Sequence, residues 1–170
     1  MQVRKATSDD LPRLMQIFAE ARITMRESGN MNQWPDTYPS EEAILKDISG
    51  NHCCVCCETD GTITGTFACI PGPDPTYNVI YEGEWPDDKP YHVIHRIAAS
   101  RVPRPSESIA DVCFEWTFRH TDVIRIDTHR DNAIMHHILS RHGFTRCGVI
   151  LLANGDPRDA YHKNICRIEK

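Results

Sequence analysis

No stretch of the sequence approaches the roughly 18 consecutive apolar residues that a membrane span requires, so no membrane partner is expected. An apolar h-region is also missing near the start, where "MQVRKATSDDL" is charged and polar, and the expected location is therefore cytoplasmic. There is no basic stripe. The 19 Lys and Arg are scattered among 24 Asp and Glu, for a net charge of -5. That pattern offers no nucleic-acid footprint and favours a small-molecule partner. Internal repeats and low-complexity tracts are absent as well. What remains is a chain of 170 residues, 40% hydrophobic and 25% charged, an ordinary globular composition that predicts one domain over 1–170.

Two stretches raise the question of a metal. "HCCVCCETDG" supplies His52 and four of the eight cysteines, with C-x-x-C spacing from Cys53 to Cys56 and from Cys54 to Cys57. A zinc knuckle needs a tight turn between its cysteines, whereas only Val55 separates these pairs. The following Asp60-Gly61 and "TITGTFACI" predict a hairpin, and on its first strand neither C-x-x-C pair shares a face. Without a secretory signal, reduced thiols are expected. The second stretch, "IDTHRDNAIMHHILSRHGF", holds four histidines and two aspartates over 126–144. Its H-E-x-x-H spacing is missing, and His129 and Asp131 fall in a turn while His136, His137 and His142 fan around a helix. No metal site is expected.

The order of elements is legible from periodicity. Val3–Ala6 is a short strand, and Ser8 caps a helix with Leu11, Leu14, Met15, Phe18, Ala21 and Met25 on one face. After the loop "GNMNQWPDTYPS", Ser40, Glu41 and Glu42 open a second helix through Ile48. Hairpin strands at about 52–59 and 62–70 precede "PGPDPTYNVIYEGEWPDDKP", whose five prolines mark an irregular insertion that covers or shapes a site. "YHVIHRIAAS" is the next strand, with a helix from Ser106 to Thr121 behind "RVPRPSES". "DVIRIDTH" is a strand, Asp131 or Asn132 caps a helix ending at Gly143, and "TRCGVILLA" and "DAYHKNICRIE" close the chain as strands. The order β-α-α-β-β-β-α-β-α-β-β predicts an α/β (α+β) fold. Its sheet would be mixed and largely antiparallel, of about six or seven strands, with helices on both faces.

Several of these segments resemble the GNAT superfamily of acyl-CoA N-acyltransferases, nearly end to end. "RKATSDDLPRLMQIF" is similar to the first strand and helix of that fold, "VIHRIAAS" to its fourth strand, and Asn132 followed by "HGF" to the helix after the fifth. "QWPDTYP", "HRIA" and "RDAYHK" narrow the likeness to a bacterial subgroup of mostly unassigned acceptor. The resemblance implies acetyl-CoA as cosubstrate and no metal. It also implies a small-molecule or peptide amine as acceptor, and a fold that commonly forms homodimers. Cofactor contacts would then come from the strand edge Ile97, Ala98 and Ala99, from the loop Arg104, Ser106, Glu107, Ser108, Ile109 and Ala110, and from Asn132. A helix N-terminus suits the pyrophosphate because its N–H groups and dipole favour an anion.

The chain departs from the family at two places. The usual loop is approximately R/Q-x-x-G-x-G/A, whereas "RPSESIAD" puts Ser106 and Ser108 at the glycine positions, and Glu107 must point its carboxylate away from the phosphates. Leu139 stands where many members place a tyrosine that protonates the leaving thiolate, and Tyr161 or Cys147 are candidate substitutes. Deprotonating an amine of pKa ~10.4 at pH 7 costs roughly 4.6 kcal/mol, which calls for a base. His95 is the candidate base by its strand position, and Gln33, Trp34 and Tyr38 are the candidate acceptor walls. The implied activity is acetyl transfer to a primary amine by direct attack. The alternatives are a GNAT-fold protein that binds CoA or another ligand without turnover, and a zinc module.

Overall fold

The computed structural model describes residues 1–165. Strands β1 (Gln2–Lys5), β2 (Cys53–Cys57), β3 (Ile63–Pro71), β4 (His92–Ala99), β5 (Val123–Thr128), β6 (Thr145–Leu151) and β7 (Pro157–Asn164) form one sheet in the order β1-β2-β3-β4-β5-β7-β6. Every neighbouring pair is antiparallel except β4 and β5. Helices α1 (Leu11–Glu27) and α2 (Glu41–Ser49) cover one face, and α3 (Ile109–Phe118) and α4 (Ala133–Arg141) the other. This is the mixed, mostly antiparallel sheet that the periodicity predicts. The part of the predicted last strand beyond Ile165 lies outside the described residues.

The buried cysteine strand shows why two helical layers are needed. Cys54 and Cys56 pack with Phe67, Cys113 and Phe114 toward α3, while Cys53, Val55 and Cys57 pack with Leu14, Phe18 and Ile44 toward α1 and α2. Neither C-x-x-C pair shares a face. Burial pushes the Cys54 and Cys56 thiols up to about 12, so both stay protonated apolar residues at neutral pH.

Two helix starts differ from the sequence expectation. Ser8 does not cap α1; Ser8–Asp10 is a separate 3-10 turn, because Asp10 folds back to accept from the Thr7 N–H at 2.8 Å and from the Arg4 guanidinium. Helix α3 begins at Ile109 rather than Ser106, because the Ser108 hydroxyl caps it, leaving Arg104 to Glu107 as loop. Gly65 lets that first turn approach β3 closely, since a Cβ there would lie 2.2 Å from Ile109 Cδ1.

The insertion between β3 and β4 covers the same sheet face as α1 and α2, but farther along. Tyr77 fills a small core with Val93, Ile150 and Ala160. The Arg125 guanidinium lies between the rings of Trp85 and Tyr91, at 4.2 and 4.1 Å, and donates to the Asp87 carbonyl at 2.6 Å. The opposite side is fastened at Tyr81, which bridges Val149 on β6.

Candidate active site

The site begins where two strands part. Parallel β4 and β5 are paired only through His92, Val93 and Ile94, after which β4 continues to Ala99 against β3 alone. Between Thr66↔Ala98 and Ala68↔His95, β4 carries one extra residue, and Arg96 in this bulge has φ 56°. The bulge re-aims side chains. Arg96 reaches α2, where Asp47 accepts its fork at 2.7 and 2.8 Å and the Tyr38 hydroxyl accepts at 3.1 Å.

The notch opens into two cavities of about 660 Å³ each, which share Met25, Ile97, Asn132 and Met135 at their junction. The first is walled by ionisable side chains. His95 Nε2 lies 3.1 Å from Asp74 Oδ2, and His95 Nδ1 lies 3.9 Å from Asp127 Oδ1. The hydrogen bond from His95, with those from Thr76, lowers the Asp74 carboxyl to about 2. Ionised Asp74 therefore accepts a hydrogen from Nε2, with Nδ1 on the side facing Asp127. Asp127 is oriented in turn by the Tyr77 hydroxyl, which donates at 2.7 Å. Burial, with the Asp127 charge, raises Tyr77 well above its ordinary value, so it remains a donor.

Gln33, Trp34 and Tyr38 line the same cavity. Trp34 also pins its loop, with edge contacts to Phe18 and Tyr38, and Gln33 Oε1 accepts from Asn30 and Asn132 at 2.8 Å each. The Asn132 side chain thus ties the loop to α4, whose first turn it caps through Met135 N–H.

The second cavity runs along the free edge of β4 to the start of α3. Ile97 to Ala99, Arg104, Ser106 to Ala110 and Asn132 all line it. Glu58 accepts from both the N–H and the hydroxyl of Ser106, at 2.9 and 2.6 Å, so this serine is spent on holding the loop. Ser108 is spent on its cap. Glu107 pairs with the amino group of Met1, which gives its carboxylate a partner outside the loop.

The remaining candidates lie elsewhere. Tyr161 lines neither cavity; its hydroxyl is bonded to His136 Nδ1 at 2.7 Å beneath α4. Cys147 lines neither cavity, and its thiol donates to the Thr145 carbonyl. The expectation that either stands in for a cavity acid is corrected, because both project elsewhere from the β7 and β6 strands. The histidines also separate: His129 accepts from the Asp131 N–H, His136 binds Tyr161, and His142 binds Asp111. Among the described residues no three metal-binding side chains converge.

No family model matches the chain, and no curated protein matches it. Among solved structures, an acetyltransferase of the GNAT family from Streptococcus agalactiae is 32% identical, with TM-score 0.85 over 98% of this chain and 96% of that one. The chain belongs to the GNAT acetyltransferase family. A GNAT acetyltransferase from Listeria monocytogenes shares the fold at 20% identity and TM-score 0.70, covering 96% of this chain and 94% of its own. A ribosomal-protein-alanine N-acetyltransferase from Brucella melitensis shares it at 18% and 0.62, covering 97% and 100%.

The second cavity offers two kinds of backbone group to a ligand. A free strand edge can pair with an amide-bearing arm, and the first N–H groups of α3 have no partner within their helix. Leu139, at the family's tyrosine position, is fully buried against Phe144 and Tyr161. The sequence signals missed Asp74, Asp127, Arg96 and Arg158 as cavity residues. For Asp74 a signal existed, since "DPT" spells a capped turn inside the insertion.

Proposed function

We propose that this GNAT protein transfers an acetyl group from acetyl-CoA to the primary amine of a small molecule, by direct attack of the amine. The observation that carries this is the His95 imidazole held between Asp74 and Asp127 in the cavity that adjoins the slot along β4. Acetyl-CoA supplies the acetyl group activated as a thioester. The chain's own part is to hold the acceptor and move its proton. An ammonium between His95 Nδ1 and Asp127 is attracted to the carboxylate, and Nδ1 takes a proton from it, directly or through water. The freed nitrogen forms the bond to the acetyl carbon, the C–S bond breaks, and the second proton of that nitrogen passes to water or to the departed thiolate, leaving a neutral amide. The thiolate leaves without a tyrosine acid, which a thiol of ordinary acidity tolerates. Direct attack is supported by the cavity lining, which includes no cysteine or serine among the described residues.

Binding without turnover is the second reading, and Leu139 and the two occupied serines favour it. Calorimetric titration with acetyl-CoA, followed by thiol release over an amine panel, separates the two. Micromolar binding with amine-dependent release supports transfer; binding with no release to any amine supports the alternative. Failure to bind at millimolar acetyl-CoA removes both.

A further inference from the structure

The acceptor cavity contains two arginines, partly buried Arg96 and buried Arg158, that are satisfied very differently. Arg96 has a carboxylate forked onto it and a tyrosine hydroxyl besides. Arg158, only 5% exposed, also lines the cavity, and its one hydrogen bond among the described residues is from Nη1 to the Pro157 carbonyl at 3.0 Å. The nearest carboxylate to it among the described residues is Asp156, at 4.0 Å from Nη2 and half exposed. A guanidinium has five N–H donors in a flat fork, and those that the fold leaves unused open onto the cavity rather than into the core. Among the described residues, Nε and Nη2 of Arg158 donate to no protein group, and they are left for the cavity.

Position supplies the rest. In the antiparallel pairing of β5 with β7, Asp127 faces Ala160, and Arg158 lies two residues farther along the same face of β7. Two strand residues span roughly 6.6 Å, which places the cation a short molecule's length from the Asp127 carboxylate and the His95 ring. One end of the cavity is thus acidic and suited to an ammonium, with Asp74 and Asp127, and the other is a fork suited to a planar anion.

We infer that the acceptor is a small amino acid-like molecule whose carboxylate is bound by Arg158 while its amine faces His95 and Asp127. This rests on the acetyl-transfer reading above and narrows it from amines in general to amines that carry an anion. A diamine or a neutral amine leaves the fork unpaired, and discrimination follows from that cost.

The test compares each L-amino acid with its own carboxamide in a CoA thiol-release assay, in the wild type and in Arg158→Gln and Arg158→Lys. The wild type is expected to prefer the acids by about 10- to 100-fold in kcat/KM, as loss of a charged hydrogen bond implies. That preference is expected to collapse in Arg158→Gln and to survive in part in Arg158→Lys, which keeps the charge without the fork. Equal use of acids and amides by the wild type, or a preference unchanged in Arg158→Gln, overturns the inference and leaves acetyl transfer standing. If no amine is acetylated, the transfer reading fails, and calorimetry with N-acetyl-L-amino acids and their carboxamides decides the anion site by itself. Carboxylate-dependent binding lost in Arg158→Gln supports it; its absence overturns it. Because the acid and amide are compared on the wild type first, a variant that fails to fold does not stop the test.

Discussion

The two cavities that meet at Asn132 are equal in volume and opposite in construction. The acceptor cavity is made by side chains that fix one another: Tyr77 orients Asp127, His95 is held by Asp74, and Arg96 is locked by Asp47. The slot along β4 presents the free backbone edge of that strand and the first N–H groups of α3, while two of its loop side chains are occupied, Ser106 on Glu58 and Ser108 on the helix cap. A backbone site tolerates sequence change because every residue but proline carries the same N–H and C=O. That is how a loop can dispense with two glycines while a cavity a few residues away depends on single carboxylates.

The comparison can be broken most forcefully at His95. Replacing it with Ala is expected to lower kcat by about 10²- to 10⁴-fold while calorimetry finds acetyl-CoA affinity unchanged. A parallel loss of affinity would show that the two cavities are not independently built. Next in size, Asp47→Ala strands the partly buried Arg96 charge, and denaturant unfolding should register a loss of about 3 kcal/mol. On the other side, Gly65→Ala drives a Cβ into Ile109 and is expected to cost about 1–3 kcal/mol, with weaker acetyl-CoA binding because α3 must shift.

Asp74→Asn tests the carboxylate network through pH. The Asp74 carboxyl lies below its ordinary value, at about 2, so the stability it contributes is present above pH 4 and is lost as pH falls toward 2. The wild type should exceed the variant by at most about 2 kcal/mol at pH 6, with the gap closing across that acid window. The smallest effect is expected at Ser108→Ala, about 1 kcal/mol of helix capping, with acetyl-CoA affinity changed by less than about tenfold. A larger loss there would mean that the hydroxyl serves the ligand rather than the helix.

The elements were legible because their signals are local. Alternation along "HCCVCC" places each cysteine on its face, and Asn132 followed by an apolar stripe marks α4 and its cap. His95 and the walls Gln33, Trp34 and Tyr38 followed from family likeness, and the structure gathers them around one cavity. Neither mark assigns Asp74 or Arg158 to the cavity, although "DPT" spells the Asp74 turn and Arg158 opens "RDAYHK". Asp74 is brought to His95 by an insertion whose path depends on Tyr77 and Trp85 within it and on Arg125 from β5. Arg158 alternates on its strand like any polar residue, and only the bulge and the parting of β4 from β5 turn its neighbourhood into a cavity. Tyr161 illustrates the reverse: its strand is adjacent to the site, but the pleat turns its ring to the α4 side.

The three-pair contact between β4 and β5 has a mechanical meaning as well. It is the seam between two antiparallel ribbons, β1 to β4 and β5, β7, β6, each far more extensively laced than the seam itself. Any guest that pairs with the unused edge of β4 while touching α4 spans that seam and clamps the ribbons together. Its binding energy is then also resistance to separation of the halves, growing with the logarithm of its concentration.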